Sequence, residues 1–261
     1  MIEFFKSLHQ YRGIIFFRTV ASLRADARAM YLGYIWWFLE PVLNTALYYF
    51  IFGVLLGSKT PDFITYLLLG TVIYQWFQSS VAGTMGTITA RAQLYRQIPL
   101  PKYLFAIIGI SSASWKSACV FAVMLGYIAI SSGLKLGAHL LWLPVLFLLQ
   151  LLLIAGFSII LSIASAYLRD LQTFMSVLFR AGMFISAIFW DVAKVPEHLK
   201  TLFYSNPAAS LIQVFRSVVM YGEHPSGGLL LYLAALGLIC IQLGIVWHRR
   251  IDGHILKHIQ T

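Results

Sequence analysis

The stretch SAIFWDVAKVPEHLKTLFYSNPAASLIQVFRSVV, Ser186–Val219, decides how the chain is read. An apolar run stops at Trp190, charges and two prolines (Pro196, Pro207) follow, and an amphipathic pattern then resumes. Another long apolar run begins only after Gly222 and Pro225. The segment is too apolar for a solvated loop and too interrupted for a single span. Non-helical backbone at membrane depth is tolerated only where protein buries it or a watery cavity borders it. The pattern therefore predicts two short amphipathic helices, Pro196–Tyr204 and Pro207–Met220, re-entering the outer leaflet and shaping the exit of a pathway. Leu211, Val214, Phe215 and Val218 recur at helical spacing. Asn206 suits the cap of the second helix, with Pro207 at its first position.

Working outward, the whole chain is membrane-like. Of 261 residues, 60% are hydrophobic and 11% charged, with a mean hydropathy of +0.80. Soluble domains carry about 25% charged residues, so this chain has too little polar surface to face water all round. Six runs approach the ~20 residues that cross ~30 Å of hydrocarbon: 35–56, 63–81, 104–130, 140–166, 173–190 and 229–247. None has the period-2 alternation of a membrane barrel, so the expected fold is all-α with six transmembrane helices. With the N-terminus cytoplasmic, twelve Lys/Arg fall inside and five (Lys59, Lys135, Lys194, Lys200, Arg216) outside, leaving Lys116 and Arg180 within spans. That bias places both termini in the cytoplasm and accounts for the net charge of +10 without a nucleic-acid partner. The N-terminal residues lack the pattern of a cleaved signal peptide. Cys119 and Cys240 fall within spans and read as packing residues.

The chain shows neither G-x-x-x-x-G-K-[ST] nor G-x-G-x-x-G, neither H-E-x-x-H nor a paired-carboxylate motif. It offers no catalytic constellation and no metal site. An ion-coupled transporter would use several intramembrane carboxylates, and only Glu40 lies well inside a span. A membrane glycosyltransferase would need a base or metal cluster, and no inner loop has room for one.

Five local features carry further expectations. Residues 14–30 read as an amphipathic helix on the cytoplasmic surface, with Phe16, Val20, Leu23, Ala27 and Met30 on one face and Arg18, Arg24 and Arg28 off it. Region 1–34 is thus set apart from a transmembrane region 35–261. In the first span, Glu40 precedes Pro41 near the inner boundary, either bonding another helix or touching cargo. Between spans two and three, a short helix over Thr87–Ile98 ends at Pro99 and Pro101. The other inner corner is the brief Tyr167-Leu168-Arg169-Asp170-Leu171. In span five, Arg180 costs ~2.5–3.5 kcal/mol at a helix centre, and eight apolar residues together return only ~2.4–4.8 kcal/mol. Arg180 is therefore expected against protein or water, or snorkelling to the interface.

In this order, at this length, these features resemble the membrane subunit of ABC-2-type polysaccharide exporters. The carriers are the amphipathic helix leading into W-W-F-L-E-P (36–41), R-Q-I-P-L-P-K-Y (96–103), Y-L-R-D-L (167–171) and F-W-D…P…N-P…R (189–216). Capsular-polysaccharide members look nearest, O-antigen exporters next. A drug- or lipid-exporting ABC-2 permease would share the architecture and differ in channel width. The resemblance implies a homodimer in the bacterial inner membrane with a separate ATPase on each copy, which holds the ATP and magnesium. It implies coupling to that ATPase through Arg91, Tyr95 and Arg96 and through Arg169 and Asp170, with Arg24 and Arg28 as a further docking edge. It implies a channel at the dimer interface, lined by spans one and five, for a long glycan on a lipid terminus. A periplasmic adaptor and an outer-membrane export protein would extend the route.

Sugars present C–H faces to rings and hydroxyls to polar side chains, so Tyr48, Tyr49, Phe184, Phe189 and Trp190 become candidate path residues. The same rings also suit belts and packing. Glu40, Arg180, Lys194, Lys200 and Arg216 are candidate polar contacts, the cations suited to an acidic polymer or a lipid phosphate.

Overall fold

The computed structural model describes residues 9–58, 60–90, 103–131, 137–168, 170–192 and 196–251. Among them every regular element is a helix. They are α1 Arg12–Arg28, α2 Ile35–Tyr48, α3 Phe63–Thr84, α4 Thr87–Ala90, α5 Tyr103–Ser131, α6 Leu143–Tyr167, α7 Leu171–Ile185, α8 Glu197–Tyr204, α9 Pro207–Arg216 and α10 Gly227–Ile251. Wider π turns extend α2 over Tyr49–Leu55 and α9 over Ser217–Tyr221, and a 3-10 turn, Ala138–Trp142, leads into α6.

Among the described residues, four stretches are long and apolar enough to cross a membrane: Ile35–Leu55, Tyr103–Ser131, Ala138–Tyr167 and Gly227–His248. These agree with the first, third, fourth and sixth expected spans. The other two differ for physical reasons. α3 has 22 residues, about 33 Å at 1.5 Å per residue, but Tyr66, Thr71, Tyr74 and Gln75 dilute its hydropathy. It packs against α2, α5, α6, α7 and α9, and fifteen of its residues are buried. Its neighbours are protein, so it need not be as apolar as a lipid-facing helix.

α7 is 15 residues long, about 22 Å, where the sequence suggests continuity to Trp190. The chain turns instead at Ser186–Trp190, with Ala187 at φ +52°. Arg216 stabilises that break. Its guanidinium is 1% exposed and donates to the carbonyls of Ala187 (2.7 Å), Ile188 (3.3 Å) and Tyr66 (3.0 Å). It stacks 3.3 Å from the Tyr66 ring centre. The Tyr66 hydroxyl in turn donates to Trp190 O at 2.8 Å. A Cβ on Gly70 would stand 2.7 Å from Nη2 of Arg216, so α3 needs glycine there for the close approach. Tyr221 lies nearby, its phenol held above its ordinary range by burial first and by the Asp191 carboxylate second.

The opening segment folds as two short helices. Asn206 Oδ1 accepts from Ala208 N at 3.0 Å, capping α9, and Asn206 Nδ2 donates to Ser186 Oγ at 3.1 Å. Leu211, Val214, Phe215 and Val218 are all 1% exposed or less. They enter the same core as α3, α6 and α10. α6 and α10 form the most extensive helix pair. A Cβ on Gly156 would fall 2.6 Å from Cys240 Cβ, the close backbone approach that small residues allow between membrane helices. Cys240 is buried as expected, whereas Cys119 is exposed.

α1 packs along α5, and its inward stripe keeps only the middle of the face its hydrophobic pattern suggests: Val20, Leu23 and Ala27 are covered, its two ends are not. Phe16 and Met30 are 68% and 52% exposed. Tyr11, Ile15 and Thr19 turn inward beside Ala27, which is 6% exposed; Val20 and Leu23 are half-buried and Asp26 stays partly open. Asp26 makes an ion pair with Lys116 of α5, a polar contact beside the apolar ones of Tyr11 and Ile15.

Replacing Arg216 with leucine leaves three carbonyls unpaired inside the core. It is expected to destabilise the protein by about 3–5 kcal/mol, read as a lowered thermal unfolding midpoint in detergent. Gly70→Ala should lower it in the same direction by pushing on the guanidinium. An unchanged midpoint in both variants would contradict the assigned role of Arg216.

Candidate functional site

α2 and α7 are the least covered of the long helices. On α2, Leu43, Leu47 and Phe50 are exposed on one side, and on α7 Phe174, Val177, Leu178, Phe184 and Ile185 are exposed. Phe179 is the one buried side chain of α7. Each helix also carries a polar line at helical spacing. On α2 it runs Glu40, Asn44, Tyr48; on α7 it runs Thr173, Ser176, Arg180. Glu40, Thr173, Ser176 and Arg180 are exposed. A polar line bordered by open apolar surface is what a helix shows when one side meets water or cargo and the other meets hydrocarbon or a second chain.

The two helices meet through side chains at their C-terminal ends. Tyr48 Oη donates to Met183 Sδ at 3.7 Å. The Tyr48 ring meets Phe189 edge-on at 4.8 Å, Phe52 stacks on Phe189 at 4.5 Å, and Phe184 lies 5.1 Å from it. Trp190 Nε1 donates to Phe184 O at 3.0 Å. Tyr48, Phe184, Phe189 and Trp190 are thus one cluster, joined by Phe52, which sequence reasoning missed. Phe184 presents open surface, while Phe189 is 3% exposed and serves as the wall behind it. Behind α7, Tyr74 of α3 donates to Phe179 O at 2.6 Å. That bond fixes α7 to the core, and only a buried tyrosine in an otherwise apolar helix hints at it.

The remaining expected path residues separate. Tyr49, one residue from Tyr48 and so ~100° around the helix, faces α3 and α5, with its ring 6.4 Å from Phe63. Lys200 pairs with Glu197 one turn away on α8. Arg216, expected at a pathway, is instead internal, its charge engaged by backbone carbonyls of the turn after α7 and of Tyr66 on α3. Lys194 lies outside the described residues.

At the opposite end of α7 the two loop corners are neighbours. Gly86, at φ +74°, donates its N–H to Ser165 Oγ at 3.1 Å. A Cβ there would collide with Gln172 at 2.3 Å. The start of the α4 region is therefore seated on the turn joining α6 to α7, beside exposed Asp170. Arg24 and Arg28 are exposed on α1, on the side away from Asp26. Arg91, Tyr95, Arg96 and Arg169 lie outside the described residues. Among the described residues no three metal-ligating side chains cluster.

Residues 16–220 match the family described as ABC-2 type transporter. The chain belongs to that family. It is 26% identical to the O-antigen export system permease protein RfbA of Myxococcus xanthus over 247 residues, 92% of this chain and 93% of the relative. It is 26% identical to the protein of that same description from Klebsiella pneumoniae over 205 residues, 78% and 79% of the two chains. It is 24% identical to the polysialic acid transport protein KpsM of Escherichia coli over 220 residues, 84% and 85%. This ABC-2 chain is a multi-pass membrane transport protein, and its relatives include O-antigen export permeases and a polysialic acid transport protein.

The Asp26–Lys116 contact gives a test of how α1 is seated. Both side chains are partly exposed, so each charge reversal alone should cost about 1 kcal/mol or less of that contact, plus like-charge repulsion. The double exchange, Asp26→Lys with Lys116→Asp, should recover most of the loss, measured as unfolding midpoints in a double-mutant cycle. Additive losses would show that the pair does not hold α1 on α5.

Proposed function

We propose that this protein is the membrane subunit of an ATP-driven exporter that moves a lipid-linked polysaccharide, capsule or O-antigen, across a bacterial inner membrane. The observation that carries the reading is the pair α2 and α7. In a chain of this family, two helices keep open apolar faces edged by Glu40–Asn44–Tyr48 and Thr173–Ser176–Arg180. A second copy would cover the apolar faces and turn the polar lines toward a shared conduit. Tyr48 and Phe184 would then offer rings at one end of that conduit, on which a sugar polymer slides without deep wells. Arg180 would attract an acidic polymer or a lipid phosphate.

In this reading α3 and α7 also cross or partly cross the bilayer, giving six passes, with both termini cytoplasmic and region 1–34 at the inner surface. The break after Ile185 and the α8–α9 pair then stand at the outer leaflet. The Gly86–Ser165 corner, Asp170 and the Arg24/Arg28 edge lie at the cytoplasmic end, where an ATPase subunit would dock, one per copy. ATP and magnesium belong to that subunit. An adaptor and an outer-membrane protein would continue the route. The names of the relatives support a glycan cargo over a drug or a lipid.

The test is genetic and biochemical together. The tagged chain should co-purify with a separate ATPase, and deletion of its gene should remove surface polysaccharide while drug sensitivity stays unchanged. Which glycan disappears, capsule or O-antigen, identifies the cargo. Active transport by the purified chain alone would overturn the reading. Arg180→Ala should lower surface polysaccharide at least tenfold with membrane insertion intact. Normal export by that variant would remove Arg180 from the path.

A further inference from the structure

On the flank of the bundle away from the aromatic cluster, α2, α3 and the second half of α5 enclose a cavity of about 470 Å³. That lies within the range of small-molecule sites, roughly 300–1,000 Å³. Its walls include Phe38, Val42, Leu68, Val120, Val123 and Tyr127. Two of its three walls are helices long and apolar enough to cross a membrane. Its rims, Val42 and Val123, are more than half exposed. An apolar cavity of this kind does not hold water.

The cavity is not featureless. Thr45 lines it, and the buried Thr45 hydroxyl has no partner among the described residues. One turn before Val120 on α5 comes Lys116, and beside Phe38 on α2 comes Trp37. The Lys116 ammonium stands 5.5 Å from the centre of the Trp37 ring. Lys116 is paired with Asp26, and the two side chains keep 30% and 43% of their surface open. One end of an apolar trough therefore carries a positive and a negative charge side by side, both reachable.

That combination matches one ligand chemistry. A hydrocarbon chain fits the trough, an ester carbonyl can accept from the Thr45 hydroxyl, a phosphate can meet Lys116 and an ammonium can meet Asp26. We propose that the groove between α2, α3 and α5 binds one glycerophospholipid with an amine-bearing zwitterionic headgroup, of the phosphatidylethanolamine kind. A lone lysine would favour an anionic lipid; the adjacent carboxylate shifts the preference to a headgroup that itself carries both charges. The bound lipid ties α1, α2 and α5 together along their shared edge, independently of what the transporter carries.

The full-length protein, purified in detergent, is incubated with vesicles of equal parts phosphatidylethanolamine and phosphatidylglycerol, and retained lipid is counted by native mass spectrometry. One phosphatidylethanolamine per chain is expected, favoured about tenfold over phosphatidylglycerol. Val123→Trp, which fills the trough, should reduce retention at least tenfold, and Asp26→Asn should move the preference toward phosphatidylglycerol. Should Val123→Trp fail to fold, a Val123→Cys chain with Cys119 and Cys240 replaced by serine serves instead. Its thiol is alkylated with a long-chain reagent, and retention should fall as far. Equal retention of both lipids by the unaltered protein, or undiminished phosphatidylethanolamine after the trough is blocked, overturns the proposal. A disulfide that joins two copies of the Val123→Cys chain before alkylation also overturns it, because the groove would then be a protein interface.

Discussion

A guanidinium sealed in the core, bonded to carbonyls of two separate chain segments, sets the terms for the rest of this molecule. Ending a helix inside a bilayer or a packed core leaves carbonyls with no partner, and each such group is costly. α7 stops after Ile185, and the turn that follows it exposes carbonyls of its own at Ala187 and Ile188. Arg216 supplies several donors in one rigid fork, which meet Ala187 and Ile188 on one side and Tyr66 on the other. Lysine offers a point charge without that geometry. The fork explains why Gly70 must lack a side chain, why Tyr66 presents its ring, and why α9 is drawn into the core and not left on the surface.

The placement of polarity follows from what each helix touches. α3 lies at the centre, so its tyrosines and threonines meet other helices, and its low hydropathy is no obstacle. α6 and α10 face each other closely and are strongly apolar. α2 and α7 share the opposite property: they are exposed, yet each carries a polar line along one edge. Within one protomer that arrangement is unfinished. In the proposed dimer, a second copy would complete the path and give those surfaces a purpose. The aromatic junction of Tyr48, Phe52 and Phe189 holds the two helices together at one end only.

At the other end, Gly86, Ser165 and Gln172 bring together two loops that are about 80 residues apart in sequence. Force delivered to either corner reaches the base of α7 directly, and Tyr74 links α7 to the central helix. α1 joins this network through Asp26 and Lys116, beside the first turns of α2. The elements that would receive a partner's motion are therefore mechanically connected to the helices that would line the path.

Composition and run length were enough to establish a helical membrane chain. The spacing of Leu211, Val214 and Phe215, and the Asn206–Pro207 cap, were legible because helix periodicity and capping are local properties. The order of the W-W-F-L-E-P, Y-L-R-D-L and N-P…R signals also pointed to the family. What local pattern could not supply was the destination of each polar group. Arg216 read as a pathway cation because a charge in an apolar segment has the same one-dimensional signature whether it meets cargo or carbonyls. The inward face of α1 is legible at Val20, Leu23 and Ala27 but not at Phe16 and Met30, because hydrophobicity alone ignores a partner such as Lys116, 90 positions away from Asp26. Tyr48 and Tyr49 were equivalent in sequence and fell on different sides of α2. The sequence by itself determined the helices, their membrane setting and their caps, since those depend on neighbours within a few residues. Only the tertiary structure decided where α7 stops, which rings meet and which charges are held inside, since those depend on donors and acceptors that the fold alone brings together.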